Sequence, residues 1–290
     1  MNYTIQEKIK AYREKTFRFN VENQLKTLKD AIDFVNERSF VLFHPSKEII
    51  LPSLWAATAG DRPVPNEHDD PGHITWGWKD DALGQKVWYY GRLIRRRMTH
   101  VSLSFLPYFY ALSPNYGDYE NDYLLQYKNG TLINEAKILY EILLEEGPLN
   151  TIELRKKAGI SGINNQYRFS KGIDNLQIEM KILPVGIAEA GRWKYSFIYE
   201  ILPRHFSDIE MQSRRIKVSE AERKLIMAYL RSVGGATQKG IGKIFSWSNK
   251  RVEKVINSIR EMEPSALGAI VDEENMNALI VTPEVLYNGN

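Results

Sequence analysis

Asn134-Glu135-Ala136-Lys137-Ile138-Leu139-Tyr140-Glu141-Ile142-Leu143-Leu144-Glu145-Glu146-Gly147-Pro148, taken together with the segment that runs on to residue 201, decides the fold of this chain. Ala136, Leu139, Ile142 and Leu143 recur at helical spacing, and Gly147-Pro148 ends the run. Residues 151–158 form a second, shorter helical stretch, and Gly159-Ile160-Ser161-Gly162 is a turn. A third helix is predicted over 164–180, with Phe169, Ile173, Leu176 and Met180 inward. Two strands, 182–187 and 195–201, flank the polar tip Glu189-Ala190-Gly191-Arg192-Trp193-Lys194. Helix, helix, turn, helix, hairpin is the order of a winged helix-turn-helix.

The order returns over 219–282. Ser219 and Glu222 have capping-box spacing, and Leu225, Ile226, Tyr229, Leu230 and Val233 make the inward stripe of a helix stopped by Gly234-Gly235. Helices over 237–245 and 249–262 come next, the second with Val252, Val255, Ile256 and Ile259 inward. Strands 268–271 and 278–281 then flank the acidic tip Asp272-Glu273-Glu274-Asn275. A third copy is read at the front, with helices over 22–37, 54–58 and 79–93, wing strands over 99–105 and 108–112, and an inserted loop over 60–75. The expected fold is therefore mainly α with small antiparallel β wings, as three tandem winged helix-turn-helix modules. An N-terminal helical extension (1–21) precedes modules at 22–130, 131–205 and 206–290.

The chain has 290 residues, 33 of them aromatic, and a hydrophobic fraction of 43%, which supports packed cores and excludes a disordered chain. It has no cysteine, so disulfides, thiolate zinc sites, iron–sulfur clusters and cysteine nucleophiles are excluded. No apolar run approaches a membrane span, and the first residues carry no apolar signal-peptide core. A soluble, cytoplasmic protein is the default expectation.

Net charge is only +3, from 39 Lys and Arg against 36 Asp and Glu, so its distribution matters more than its sum. Residues 79–100 hold six cations against two carboxylates. Residues 153–171 and 239–254 each hold five against one. Each stretch falls on the recognition half of a module, where helix-turn-helix proteins meet DNA, and clustered cations release counterions from duplex DNA. Candidate DNA contacts are Arg95, Arg96, Arg97, Arg168, Lys171, Arg192, Lys194, Lys250, Arg251 and Lys254. Ordinary solvated helix faces are the competing explanation. Double-stranded DNA is the expected partner of a monomeric protein, with no membrane partner.

The front loop is chemically unusual. Glu67, His68, Asp69, Asp70 and His73 lie within seven residues, with Trp55, Trp76, Trp78 and Trp88 near in sequence. Three readings stand side by side. His68, Asp69, Asp70 and His73 are legitimate metal ligands, but their spacing matches no specific motif. A carboxylate partly desolvated by aromatics activates water, and Trp76 and Trp78 would stack an extruded base. The third reading is plain structure: Asp69-Asp70-Pro71-Gly72 has good turn chemistry and the tryptophans are core. No phosphate-binding loop, dinucleotide turn or serine-nucleophile elbow is present.

Leu51-Pro52-Ser53-Leu54-Trp55, Trp76-Gly77-Trp78-Lys79-Asp80 and a tyrosine-rich helix running into Tyr90-Gly91-Arg92-Leu93, set among tandem winged helices, resemble the crosslink-repair DNA glycosylases of the AlkZ or YcaQ-like group. The resemblance spans about residues 22–285. It implies three winged helices around a concave basic surface, and hydrolysis of the N-glycosidic bond of alkylated or crosslinked nucleotides without metal or other cofactor. Active members carry a glutamine–apolar–glutamine motif shortly after the first helix. Here that neighbourhood reads Ser39-Phe40-Val41-Leu42-Phe43-His44-Pro45, so no family catalytic residue carries over. Asp69, Asp70 and Glu67 are then the candidates for orienting water, and His44 and His68 for positioning the lesion or sugar. The alternative is a non-catalytic DNA-binding regulator or architectural protein.

Overall fold

The computed structural model describes residues 4–67, 69–162, 165–191, 193–272 and 277–287. From the N-terminus the elements are α1 (Ile5–Thr16), α2 (Leu28–Arg38), β1 (Phe40–Leu42), α3 (Leu54–Ala59) and α4 (Ile74–Ala82). Then come β2 (Tyr89–Arg92), β3 (Met98–Val101), α5 (Leu106–Ala111) and α6 (Asp122–Lys128). The middle group is α7 (Asn134–Glu146), β4 (Leu149–Asn150), α8 (Thr151–Lys157), α9 (Gln166–Ile178), β5 (Ile182–Ala188) and β6 (Ser196–Ile201). After α10 (Leu202–His205) and α11 (Ile209–Arg214) come α12 (Val218–Val233), β7 (Gly235–Thr237), α13 (Gln238–Phe245), α14 (Asn249–Met262), β8 (Gly268–Asp272), β9 (Asn277–Val281) and α15 (Pro283–Tyr287). The protein is thus mainly helical with small antiparallel sheets. It divides into two compact units, one from Met1–Trp78 with Val218–Asn290, the other from Lys79–Lys217.

In the second unit, α7, α8 and α9 pack on a three-stranded sheet of order β4-β6-β5. Asn150 caps α8 by accepting from the Ile152 and Glu153 amides, and Glu153 returns the bond to complete a capping box. Leu139, Leu143, Leu154, Phe169, Ile173 and Leu176 are buried together with Ile182, Tyr199 and Ile201. Each such side chain contributes about 1.5–3 kcal/mol on burial. Gly172 lets α9 approach α7 closely: a Cβ there would lie 2.8 Å from Leu139 Cδ1.

In the first unit, α12, α13 and α14 accompany a second sheet of order β7-β9-β8. Leu225, Ile226, Tyr229, Leu230, Val252, Val255, Ile256 and Ile259 are all buried. Ser248 caps α14 through the Arg251 amide. The N-terminal extension is tied to this part of the unit. Ile9 packs with Leu279, Val281 and Val285. Arg13 Nε donates to the Val233 carbonyl and Arg13 Nη2 to the Gly235 carbonyl, both at 2.9 Å. Tyr12 Oη donates to the Arg231 carbonyl at 2.7 Å.

The structure departs from expectation in four places, three of them at the front. The first helix begins at Leu28, because Thr27 and Asp30 form a capping box there. The expected helix over 79–93 is instead α4, ending at Ala82, followed by β2, which pairs antiparallel with β3. The expected strand over 108–112 lies in α5, whose first turn holds Pro107, a position that tolerates proline because its amide has no helical partner. Ser219 lies inside α12, and the Glu222 carboxylate accepts from Arg251 Nε at 2.6 Å.

Arg13→Ala should therefore destabilise the first unit by about 2 kcal/mol, since two inward-facing carbonyls lose charged donors. Urea unfolding of the full chain measures this. A change within error would show that α1 rests there without contributing.

Candidate functional site

The chain leaves β1 at Leu42 and is held on both sides of the next two residues. The Leu42 amide donates to the Pro52 carbonyl at 2.9 Å, and the Trp55 amide to the Phe43 carbonyl at 3.0 Å. Phe43 is buried and His44 half-buried. Their rings lie 4.4 Å apart, centroid to centroid. Trp76, on α4, meets Phe43 edge-on at 5.6 Å, His44 at 5.9 Å and His73 at 6.4 Å. His44, Val64, Pro65, Asn66, His73 and Trp76 line a cleft of about 510 Å³, a size usual for small-ligand sites. The Trp76 side of it is 42% exposed, so a flat ring can reach the indole.

The loop that completes the cleft is fastened from below. Asp70 accepts from Arg62 Nη1 at 2.9 Å, from Arg62 Nη2 at 2.7 Å and from the Gly72 amide at 2.7 Å. The Arg62 guanidinium lies over the buried Trp55 ring, 4.9 Å from its centroid. Gly72 is required by space: a Cβ would sit 2.8 Å from Ala59 Cβ and 3.1 Å from Trp55 Nε1. The Arg62 hydrogen bonds, more than any other influence, hold the Asp70 carboxyl below the usual carboxylate range. Such a carboxylate is a poor proton acceptor.

The front-loop candidates therefore separate. His44 lines the cleft, joined by His73 and Asn66. Asp70 does not line it and is engaged with Arg62. Glu67 and Asp69 are exposed and do not line it either. His68 lies outside the described residues. Trp76 faces the cleft, whereas Trp78 is core at 6% exposure. The pair shares no face, because two residues along a helix turn the side chain by about 200°. Among the described residues no three His, Cys, Asp or Glu side chains are grouped to hold a metal ion.

The cationic candidates separate as well. Lys250 and Lys254 are exposed on α14, while Arg251 is bound to Glu222 and stacks over Trp247 at 4.4 Å. On α9, Arg168 pairs with Glu135 at 2.8 Å and exposed Lys171 lies over Tyr167. Lys194 is exposed between β5 and β6, and Arg192 falls outside the described residues. Arg95 and Arg96 lie in a 3₁₀ turn joining β2 to β3, and Arg97 comes directly after it, all three exposed and none on α9 or α14. Lys79, counted with them by sequence, is 1% exposed: it donates to Asp80 and to Tyr195 Oη and lies over the Phe197 ring. Burial lowers its pKa, partly offset by Asp80.

Sequence reasoning missed Arg62 and Asn66. An arginine eight residues before Asp70, within a loop rich in turn residues, was the available signal for the clamp.

The profile of the AlkZ-related family matches residues 25–246. No curated protein sequence matches the chain. Among solved structures, the DNA glycosylase AlkZ of Streptomyces sahachiroi is similar with a TM-score of 0.59, covering 99% of this chain and 72% of that one at 13% identity. At that identity the likeness is one of fold.

The clamp carries a pH dependence of definite sign. The folded value of Asp70 is depressed, so the ion pair stabilises the loop above the ordinary carboxylate pKa and is lost as pH falls through the folded value. Hydrogen exchange at the Gly72 amide, corrected for intrinsic rate, should accelerate only in that acid range. In Asp70→Asn it should be fast at neutral pH too. Equal protection of both proteins at neutral pH would contradict the clamp.

Proposed function

The chain belongs to the AlkZ-related family, and from that premise we propose that it is a DNA-repair glycosylase that takes an alkylated base from double-stranded DNA into the His44–Trp76 cleft and hydrolyses its N-glycosidic bond. The observation that carries this reading is the place and lining of the cleft. It opens directly after β1, where the resemblance puts the glutamine motif of active members, and it offers an exposed indole face with two imidazoles. Stacking of a base on an aromatic face contributes roughly 1–3 kcal/mol, which helps offset extrusion from the duplex.

An alkylated purine carries positive charge in its ring. Its glycosidic bond breaks with the electron pair moving into the ring, which becomes neutral, while C1′ of the sugar gains cationic character. The oxygen of a water molecule then bonds to C1′. In this reading His44 accepts that water's proton, His73 and Asn66 hold the base, and Trp76 stacks on it. Glu67 and Asp69, on the loop that continues from Asn66, add negative potential toward the sugar cation. Asp70 acts by keeping the loop in place.

The helix–strand–helix–helix–hairpin groups α7 to β6 and α12 to β9 are read as winged-helix modules, with the front segment as a third, modified one. Their long third helices, α9 and α14, would meet the duplex through Lys171, Lys250 and Lys254. The protein would act there as a monomer.

A second reading, DNA binding without chemistry, is favoured by one observation: none of Glu67, Asp69 or Asp70 lines the cleft. Base release from a duplex containing 7-methylguanine separates the two. The wild type should release the base and leave an abasic site. His44→Ala should slow release by about 100-fold or more, with affinity for undamaged duplex changed less than about twofold. Binding without any release by the wild type selects the second reading. Full activity of both His44→Ala and Trp76→Ala removes the cleft from the mechanism.

A further inference from the structure

Gly77 lies inside α4, which runs on past it to Ala82. Glycine in a helix interior is less stable than alanine, because more backbone freedom is lost on folding. A fold accepts that cost for a left-handed conformation or for close packing. Gly77 serves neither purpose. Its backbone is that of an ordinary right-handed helix. Among the described residues, a Cβ built on it would meet nothing within 4 Å, and the position is exposed to solvent. Gly172 on α9 is the opposite case, since its Cβ would strike Leu139.

The place of this glycine is specific. Of the two residues that flank Trp76, Thr75 is fully buried and Gly77 is exposed. Thr75 Oγ1 donates to the Gly72 carbonyl at 2.9 Å, which fastens the first turn of α4 to the clamped loop. Gly77 is therefore bare backbone directly beside the exposed indole and outside the lining of the cleft. A base stacked on that indole is one bond from its deoxyribose, and the sugar stays at the mouth because the strand runs on from it. Ile74 to Trp78 carry no charge, so that stretch offers nothing but apolar and backbone surface to an uncharged sugar ring or to its neighbours. A helix admits a ligand most closely where it has no side chain.

We propose that the deoxyribose of the extruded nucleotide packs against the bare backbone at Gly77, which holds C1′ in place while the base lies on Trp76. The proposal rests on the glycosylase reading and adds a positioning contact to the same site. Its consequence is unusual: filling the gap with a side chain should strengthen the helix while pushing the sugar out of place. A misplacement of about 1 Å slows a reaction on the order of 100-fold.

The test compares the full-length wild type with Gly77→Ala and Gly77→Leu, both better helix formers than glycine. Single-turnover release of 7-methylguanine, anisotropy of a fluorescein-labelled undamaged duplex and thermal melting are the three readouts. Release should slow about tenfold in Gly77→Ala and about 100-fold in Gly77→Leu. The melting temperature of Gly77→Ala should rise by roughly 2–4 °C, and affinity for the undamaged duplex should change less than about twofold in both variants. Unchanged release by Gly77→Leu, with the wild type active, overturns the proposal and leaves the cleft reading standing. A lower melting temperature of Gly77→Ala also overturns it, because the glycine would then serve the fold. So does a loss of affinity for undamaged duplex as large as the loss of release, since the contact would not be with an extruded nucleotide. No release by the wild type overturns the glycosylase reading and this proposal with it.

Discussion

One guanidinium–carboxylate pair sets the shape of the candidate site. Arg62 reaches Asp70 across eight residues of loop with two hydrogen bonds, and its flat face covers the buried Trp55. Without that closure the segment from Gly60 onward is a long connection with little apolar content to bury. With it, Asp70 can start the turn that leads into α4, and α4 in turn presents Trp76 opposite His44. The pair is largely a matter of geometry. Partly exposed ion pairs contribute little net stability, but a bidentate one fixes orientation. Asp70, one of the three candidate carboxylates of the loop, is thus spent on position, and the groups left facing the cleft are imidazoles, an amide and an indole.

The same division runs through the cations. Arg13, Arg62, Arg168 and Arg251 are bound to carbonyls or carboxylates of their own unit. Lys79 is buried among aromatic rings. Lys171, Lys250, Lys254 and the arginines of the β2–β3 turn keep their exposure. A charge count by window cannot make this distinction, because an arginine that braces a helix and one that faces solvent contribute equally to the sum.

Where one face of a helix is apolar and the other polar, the sequence was readable. The stripes of α9, α12 and α14 are buried residue for residue as their periodicity indicates, and the strands after them begin within about two residues of expectation. The front resisted for physical reasons. Tyr89, Tyr90 and Gly91 of β2 are buried on both faces, so no alternation marks them as a strand. Leu106, Pro107, Phe109 and Tyr110 of α5 are likewise all buried, and a proline in a short aromatic run reads as a strand break when it is a helix start. The cleft was half visible. His44 and Trp76 were singled out, but the partnership of Asp70 with Arg62 and the inward place of His73 depend on how a loop closes, which no periodicity encodes.

In this reading a damaged base enters the cleft beside β1. Nitrogen-15 NMR of the histidine side chains reports on it most directly, with the protein mixed first with an undamaged duplex and then with the same duplex carrying a single 7-methylguanine. The His44 and His73 imidazole signals should move with the second duplex and stay in place with the first. Signals that stay fixed with both, or that move equally with both, would contradict the claim.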